Sequence, residues 1–228
     1  APGSRWEYGI GIDWLGVLVE KISGKRLMPY FAENILAPLE MTDTFYEFDP
    51  SKLDRAVTMM ARVDGGLVIS PAMQPTPMAD GSMPFYSGGG GLYSTLGDYG
   101  RLLQTLLNGG ELNGSRILKQ TTVDSMFTNQ IGNLMVTSAK TQMTTLSNDM
   151  DMTLGEPAKW GLGLLIHPEG VSYGRGAGSG SWAGLFNSYF WIDRDRGIFA
   201  IFATQILPFF DTESVATLKA FEAAVYAH

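Results

Sequence analysis

The sequence predicts an α+β fold, and three features of its hydrophobic patterning predict it. Two apolar stripes of helical period open the chain. Alternation of period two takes over in the last third, between glycine-containing turns. A final amphipathic segment follows those strands. Helices first, then an antiparallel meander closed by a helix, describes segregated helical and sheet regions rather than alternating βαβ units. No repeat of 20 to 50 residues is visible.

Taken in order, Asp13 to Ile22 reads as a helix. Trp14, Val17, Leu18 and Ile22 fall on one face, Leu15 and Val19 widen it, and Gly24 is placed to stop it. A second helix is expected from about Leu27 to Leu36, on the stripe Met28, Phe31 and Ile35, with Pro38 beyond its end. Pro50 opens a short helical turn, Ser51 to Ala56, and Asp64-Gly65 marks a small hairpin. Residues 70 to 91 carry Pro71, Pro75, Pro77 and Pro84, too much punctuation for regular structure. Met73, Met78 and Met83 in that loop could line an adaptable apolar cleft or simply seal the core. Thr95 caps a helix whose stripe is Leu102, Leu103, Leu106 and Leu107, with Asp98 in a capping-box role and Gly109-Gly110 as its stop. Ser115 to Ile117 is a short extended piece, Gln120 to Met126 a short helix, and 129 to 157 an irregular excursion. Trp160 to His167, Leu185 to Asp193 and Ile198 to Gln205 read as strands, with a tight turn at Arg194 to Gly197. Val215, Leu218, Phe221 and Val225 mark the closing helix. By element type the chain divides into a mainly helical and loop region, 1–159, and a region of antiparallel strands and a final helix, 160–228.

Composition narrows the chemistry. Hydrophobic residues make up 45% of 228, enough for a sizeable core. The net charge is −7 with no block of five like charges, which argues against a nucleic-acid footprint, since that needs a basic face. The longest apolar run, Ile198 to Phe210, is interrupted by Thr204, Gln205 and Pro208 and is too short for a membrane span. Cysteine is absent and only two histidines occur, His167 and His228, so thiol chemistry and a His-rich metal site are excluded and no metal or cofactor is expected. Acyl-transfer chemistry here would use a tyrosine or lysine base rather than histidine. The compartment is left open, with a soluble cytoplasmic protein preferred over a secreted one. The chain starts without Met, on the loop-like run Ala1-Pro2-Gly3-Ser4, and reads as the middle of something longer.

Tyr8 stands in a glycine-containing turn at the start of the first helix. There the positive end of the helix dipole would favour a phenolate, so Tyr8 is a candidate general base; a packing tyrosine with a satisfied hydroxyl is the plainer reading. Gly88 to Gly91 lacks the Gly-Lys-Ser/Thr that a phosphate cradle needs. Gly170-Val171-Ser172-Tyr173-Gly174 matches the Gly-x-Ser-x-Gly nucleophile elbow in form, which would pair Ser172 with His167 in an α/β-hydrolase. The strand-turn-helix context is missing and only His228 follows, so the match reads as chance.

Several segments together resemble the serine β-lactamase-like esterases and acyltransferases, of the family VIII carboxylesterase and lovastatin-acyltransferase type. Tyr8-Gly9-Ile10 with Asp13-Trp14-Leu15-Gly16 and Glu20 is similar to that family's tyrosine motif, which a buried helix follows. Pro38-Leu39-Glu40-Met41-Thr42-Asp43-Thr44 resembles its Pro-Leu-Gly-Met-x-x-Thr segment, and Gly88 to Thr95 its Gly-Gly-Gly-x-x-Ser-Thr segment. Trp182-Ala183-Gly184 stands where the lactamases carry Lys-Thr-Gly and the esterases His/Trp-x-Gly, and Ala203 to Pro208 adds to the likeness. The resemblance implies a β-lactamase/transpeptidase-like fold, an antiparallel sheet with flanking helices. It implies Tyr8 as base, the amide of Leu185 as oxyanion donor and Trp182 as a wall of the acyl pocket. Gly184 would remove a Cβ from the path of a substrate lying along the strand.

One departure matters. The family's nucleophile is the serine of Ser-x-x-Lys, and none of the seven lysines here has a serine three residues before it. The expectation is therefore the C-terminal part of a serine hydrolase or acyltransferase, inactive alone. Its expected partners are a small-molecule acyl ester or thioester and an N-terminal segment of the same protein. The alternative is a non-catalytic binding module of the same fold.

Overall fold

The computed structural model describes every residue except Pro2, Pro71, Ala72, Ala79 and His228, so Pro71 of the expected loop and the terminal histidine lie outside it. In chain order the elements are α1 (Gly11–Ser23), α2 (Leu27–Phe31) running on into a π-helical turn (Ala32–Leu36), and a 3₁₀ turn (Pro50–Arg55). The hairpin β1 (Met60–Val63) and β2 (Gly66–Ile69), α3 (Leu96–Leu107), the short pair β3 (Glu111–Leu112) and β4 (Ser115–Arg116), and α4 (Gln120–Met126) follow. The chain ends with β5 (Lys159–Trp160), β6 (Leu165–His167), β7 (Ser179–Gly184), β8 (Ser188–Asp193), β9 (Ile198–Phe202), β10 (Ile206–Leu207) and α5 (Thr212–Val225). No helix among the described residues is long and apolar enough to cross a membrane.

Two units separate by their internal contacts. A helical unit holds Tyr8–Val57 and Gln74–Leu118; a sheet unit holds Ala1–Glu7, Thr58–Met73 and Lys119–His228. This is a different partition from the one by element type at residue 159, because both units are discontinuous in sequence.

In the helical unit, Leu27, Tyr46 and Tyr86 form one buried cluster and Leu36, Leu39 and Met41 another, the second packed by Leu102, Leu112 and Ile117. Gly24 ends α1 in the left-handed conformation, as its place in the sequence predicts. Thr95 accepts from the Asp98 N–H at 3.1 Å. The Asp98 carboxylate completes no capping box; it accepts instead from the Asp43 N–H (2.7 Å) and the Thr44 hydroxyl (2.9 Å), which pins the segment after α2 to α3. The methionine loop divides: Met83 packs on the Leu27 cluster, while Met73 is exposed.

The face of α1 that the resemblance expects to be buried is exposed. Trp14 is 67% and Ile22 77% exposed, with Leu15, Val17 and Leu18 also open, and Gly16 is the helix's one buried residue. What α1 turns toward its own unit is the other side, carrying Asp13, Gly16, Val19 and Glu20.

In the sheet unit the five strands β5-β6-β7-β8-β9 form a continuous antiparallel meander. A second sheet, β10-β1-β2, joins β10 parallel to the hairpin. That hairpin turns at Asp64 (φ 49°) and Gly65 (φ 79°), two consecutive left-handed residues, the geometry Asp-Gly predicts. Tyr189 and Trp191 of β8, Phe209, and Leu218 of α5 make the main core, sealed by Met150, Met152 and Leu154 from the irregular excursion. The strand expected over 160–167 is two strands, because the chain reverses through Gly161-Leu162-Gly163 with Gly163 at φ 78°. Likewise Trp182 to Gly184 lie on β7 itself, and Leu185 is a turn residue rather than the start of the next strand.

Candidate active site

Tyr8 stands three residues before α1 and is 47% exposed. The helix behind it is fixed by its polar face, since residues spaced three or four apart share one side. The Asp13 carboxylate accepts from the Ser87 hydroxyl and from the Gly89 N–H at 3.1 Å, and those two donors hold its pKa below the ordinary carboxylate value. Gly16 allows the backbone of Gly88 to approach: a Cβ on Gly16 would lie 3.2 Å from Gly88 Cα, and one on Gly88 would collide with the Ile12 carbonyl. Glu20 accepts the Leu27 N–H at 2.7 Å, satisfying an orphan donor at the start of α2. Thus the glycine segment from Gly88 is bonded to the helix that follows Tyr8. Tyr46, whose hydroxyl donates to the Ser87 carbonyl, is pushed up to about 12 by burial, with Asp13 and Glu20 adding to the effect. It therefore serves as a neutral donor in this cluster.

The other three candidates lie in the sheet unit. Trp182 is half-buried on β7, opposite Phe190 of β8. Its ring meets Trp160 edge-on, with centroids 4.6 Å apart, and Trp160 in turn packs on Trp6 at 5.4 Å. Beneath these rings are the buried Val136, Ala158 and Leu165. Gly184 ends β7, paired with Ser188; a Cβ there would come no closer than 3.9 Å to any neighbour. The chain's own packing does not require glycine at this position. Leu185 is 37% exposed and opens the three-residue turn Leu185-Phe186-Asn187.

The Ser172–His167 pairing has no structural support. Ser172 lies in an exposed turn between β6 and β7, with its N–H on Glu156 at 3.3 Å. His167 is fully buried, its Nε2 3.1 Å from the Thr153 carbonyl, and burial lowers its pKa. A histidine with no solvent exposure and a filled Nε2 does not serve an exposed serine. An open depression of about 610 Å³ in the helical unit, lined by Phe45, Glu47, Lys52 and Met78 among others, contains none of the four candidates.

Sequence reasoning missed Asn187 and Thr204, which hold the β7–β8 turn. An asparagine directly after two turn residues and before a strand is the signal that was available, since Asn tolerates the left-handed conformation that closes three-residue hairpins.

The sequence model of the β-lactamase family matches residues 1–224. The chain belongs to the β-lactamase family. Among its relatives, lovastatin esterase of Penicillium rubens is 28% identical over 96% of this chain and 55% of that protein. Monacolin J acid methylbutanoyltransferase of Aspergillus terreus is 31% identical over 99% of this chain and 55% of that one. Among solved structures, unliganded simvastatin synthase (LovD) from Aspergillus terreus superposes with a TM-score of 0.81 at 27% identity, covering 99% of this chain and 56% of that one. The β-lactamase/transpeptidase-like α+β fold expected from the sequence is therefore the observed one. This β-lactamase-family chain spans about half the length of the curated relatives it matches.

Proposed function

We propose that this chain is part of a serine hydrolase or acyltransferase acting on esters or thioesters, whose nucleophilic serine and lysine belong to a segment outside these 228 residues. The serine oxygen attacks the acyl carbonyl carbon while Tyr8, coupled to that lysine, takes the hydroxyl proton. The Leu185 N–H stabilises the tetrahedral oxyanion. The leaving alcohol or thiol departs with the proton, and the acyl-serine passes its acyl group to water or to a second alcohol. Trp182 walls the acyl side, and Gly184 leaves clearance for the substrate along β7.

The observation that carries this reading is the exposed apolar stripe of α1 directly behind Tyr8. A helix that grips its own unit through Asp13, Gly16 and Glu20 and leaves Trp14, Leu18 and Ile22 open has a second apolar surface to meet.

The test is labelling by a fluorophosphonate, read by intact mass, of the chain alone and of the chain produced together with the preceding segment of its parent protein. The expected result is an adduct on the preceding segment only, slowed about 100-fold or more by Tyr8→Phe. An adduct on this chain alone would overturn the divided assignment. No adduct in either arrangement would favour a non-catalytic binding module.

A further inference from the structure

We propose that Asn187 and Thr204 are positioning residues that set the direction of the Leu185 amide, an inference that rests on the acyl-transfer reading above. Hairpin turns commonly project into solvent, but the turn 185–187 is fastened on several sides to the segment 204–211. Asn187 is fully buried at φ 58°, in the left-handed region. Its side-chain amide uses its full hydrogen-bonding capacity. Nδ2 donates to the carbonyls of Ile206 (2.9 Å) and Pro208 (2.8 Å), and Oδ1 accepts from the Tyr189 hydroxyl (2.9 Å) and the Asp211 N–H (3.1 Å).

Thr204 holds the same turn from its other end. Its hydroxyl is shared between the carbonyls of Phe186 (2.7 Å) and Asn187 (3.1 Å), and its own carbonyl accepts from the Ser188 hydroxyl (3.0 Å). The Ile206 N–H adds a bond to the Phe186 carbonyl at 3.2 Å. The anchor extends one step further. Asp211 caps α5 through the Ser214 N–H and receives Arg62 through Nε (2.6 Å) and a terminal nitrogen (2.9 Å).

An oxyanion donor is effective only if its direction is fixed before charge develops, because reorientation during the reaction would cost what the hydrogen bond gains. Here two successive peptide carbonyls and a buried side chain fix the turn immediately after Leu185. Leu185 itself stays exposed. A left-handed residue that asparagine occupies with four hydrogen bonds is more constrained than glycine, which would satisfy φ alone. This gives the Ala203-to-Pro208 segment a role: its polar groups hold the turn that carries the donor.

The test has two parts. In this chain, amide hydrogen exchange at Ile206 and Asp211 reports the fastening directly, since both donate to the turn. Asn187→Gly and Thr204→Val are expected to speed exchange there about tenfold or more, while amides within α5 keep their rates. In the chain assembled with its preceding segment, the same substitutions are expected to lower kcat for a p-nitrophenyl ester about 10²–10³-fold, the range for losing an oxyanion donor. KM should hardly change, and affinity for phenylboronate, a tetrahedral mimic, should fall in parallel with kcat. Thr204→Ser, which keeps the hydroxyl, is expected to restore most of both. Unchanged exchange overturns the fastening. Faster exchange with unchanged kcat and boronate affinity overturns the positioning role alone. An unsubstituted assembly that forms no acyl-enzyme overturns the acyl-transfer reading and this inference with it.

Discussion

Arg175 and Glu222 form a buried pair that no sequence pattern announces, because 47 residues separate them. The guanidinium meets the carboxylate through two bonds of 2.7 and 2.6 Å, the Arg175 N–H adds a third at 2.9 Å, and neither side chain is more than 3% exposed. Removing one partner strands the other charge without solvent. Glu222→Ala is therefore expected to destabilise the chain by about 3–5 kcal/mol in urea denaturation. His167 packs nearby and is a pH sensor of stability by the same logic. Its pKa is lowered chiefly by burial; the Thr153 carbonyl and the carboxylates of Glu222 and Glu156 pull it up, and Arg175 pushes it down further. The unfolded chain therefore binds this proton more readily than the folded one. The contribution is fully present above the unfolded value of about 6.5 and is lost as the pH falls from there through the folded value. Unfolding free energy is expected to drop between pH 7.5 and 5.5, and His167→Gln is expected to flatten that slope. At this scale Trp182, Gly184 and Leu185 are candidates through motif resemblance, and Tyr8 through that and its place at the start of a helix. Asn187, Thr204, Arg175 and Glu222 stayed hidden, because their partners are set by tertiary folding rather than by local spacing.

At the scale of elements, periodicity located α1 to within two residues at its start and one at its end, and Gly24 stopped it where expected. What periodicity cannot say is which surface an apolar stripe meets. The contact that holds α1 to its unit is made by Asp13, Gly16 and Glu20 with Val19 alone from the apolar stripe, on a face that a hydrophobicity pattern assigns largely to solvent. The closeness of that contact is testable. Gly88→Ala would place a methyl group against the Ile12 carbonyl, with Gly16 N and Ile12 C also within 3.2 Å, all of them backbone atoms that cannot rotate away. A loss of about 1–3 kcal/mol in thermal or urea unfolding is expected, against little change for Gly90→Ala, whose added Cβ meets nothing within 4 Å. β7 carries little strand signal for a related reason. Gly178-Ser179-Gly180-Ser181 lacks the β-branched residues that mark strands, yet glycine is needed at 180, where a Cβ would meet Phe127 and Leu164 at under 3.0 Å. The reversal between β5 and β6 has no pattern signal, because Gly161 and Gly163 flank a single leucine inside an otherwise strand-like run.

At the scale of the whole molecule, the α+β class followed from the order of element types, since a helix-rich start and an antiparallel finish need no long-range information. The two units did not follow, because the chain passes between them at residues 7–8, 57–58, 73–74 and 118–119, and such boundaries depend on contacts far apart in sequence. Tyr8 belongs to one unit and Trp182, Gly184 and Leu185 to the other. The proposed division of the enzyme makes its own prediction here. A segment that binds the folded chain and not the unfolded one stabilises it by mass action, by about 2.7 kcal/mol at a hundredfold excess over Kd. Adding the preceding segment of the parent protein is thus expected to raise the Tm of this chain in a concentration-dependent way. The double substitution Trp14→Glu and Leu18→Glu should abolish that rise, because two carboxylates would have to be buried against an apolar partner. The same substitutions should leave the chain alone within about 0.5 kcal/mol of its original stability, since both side chains are exposed in it. A Tm that rises equally for both forms would place the contact elsewhere than on α1.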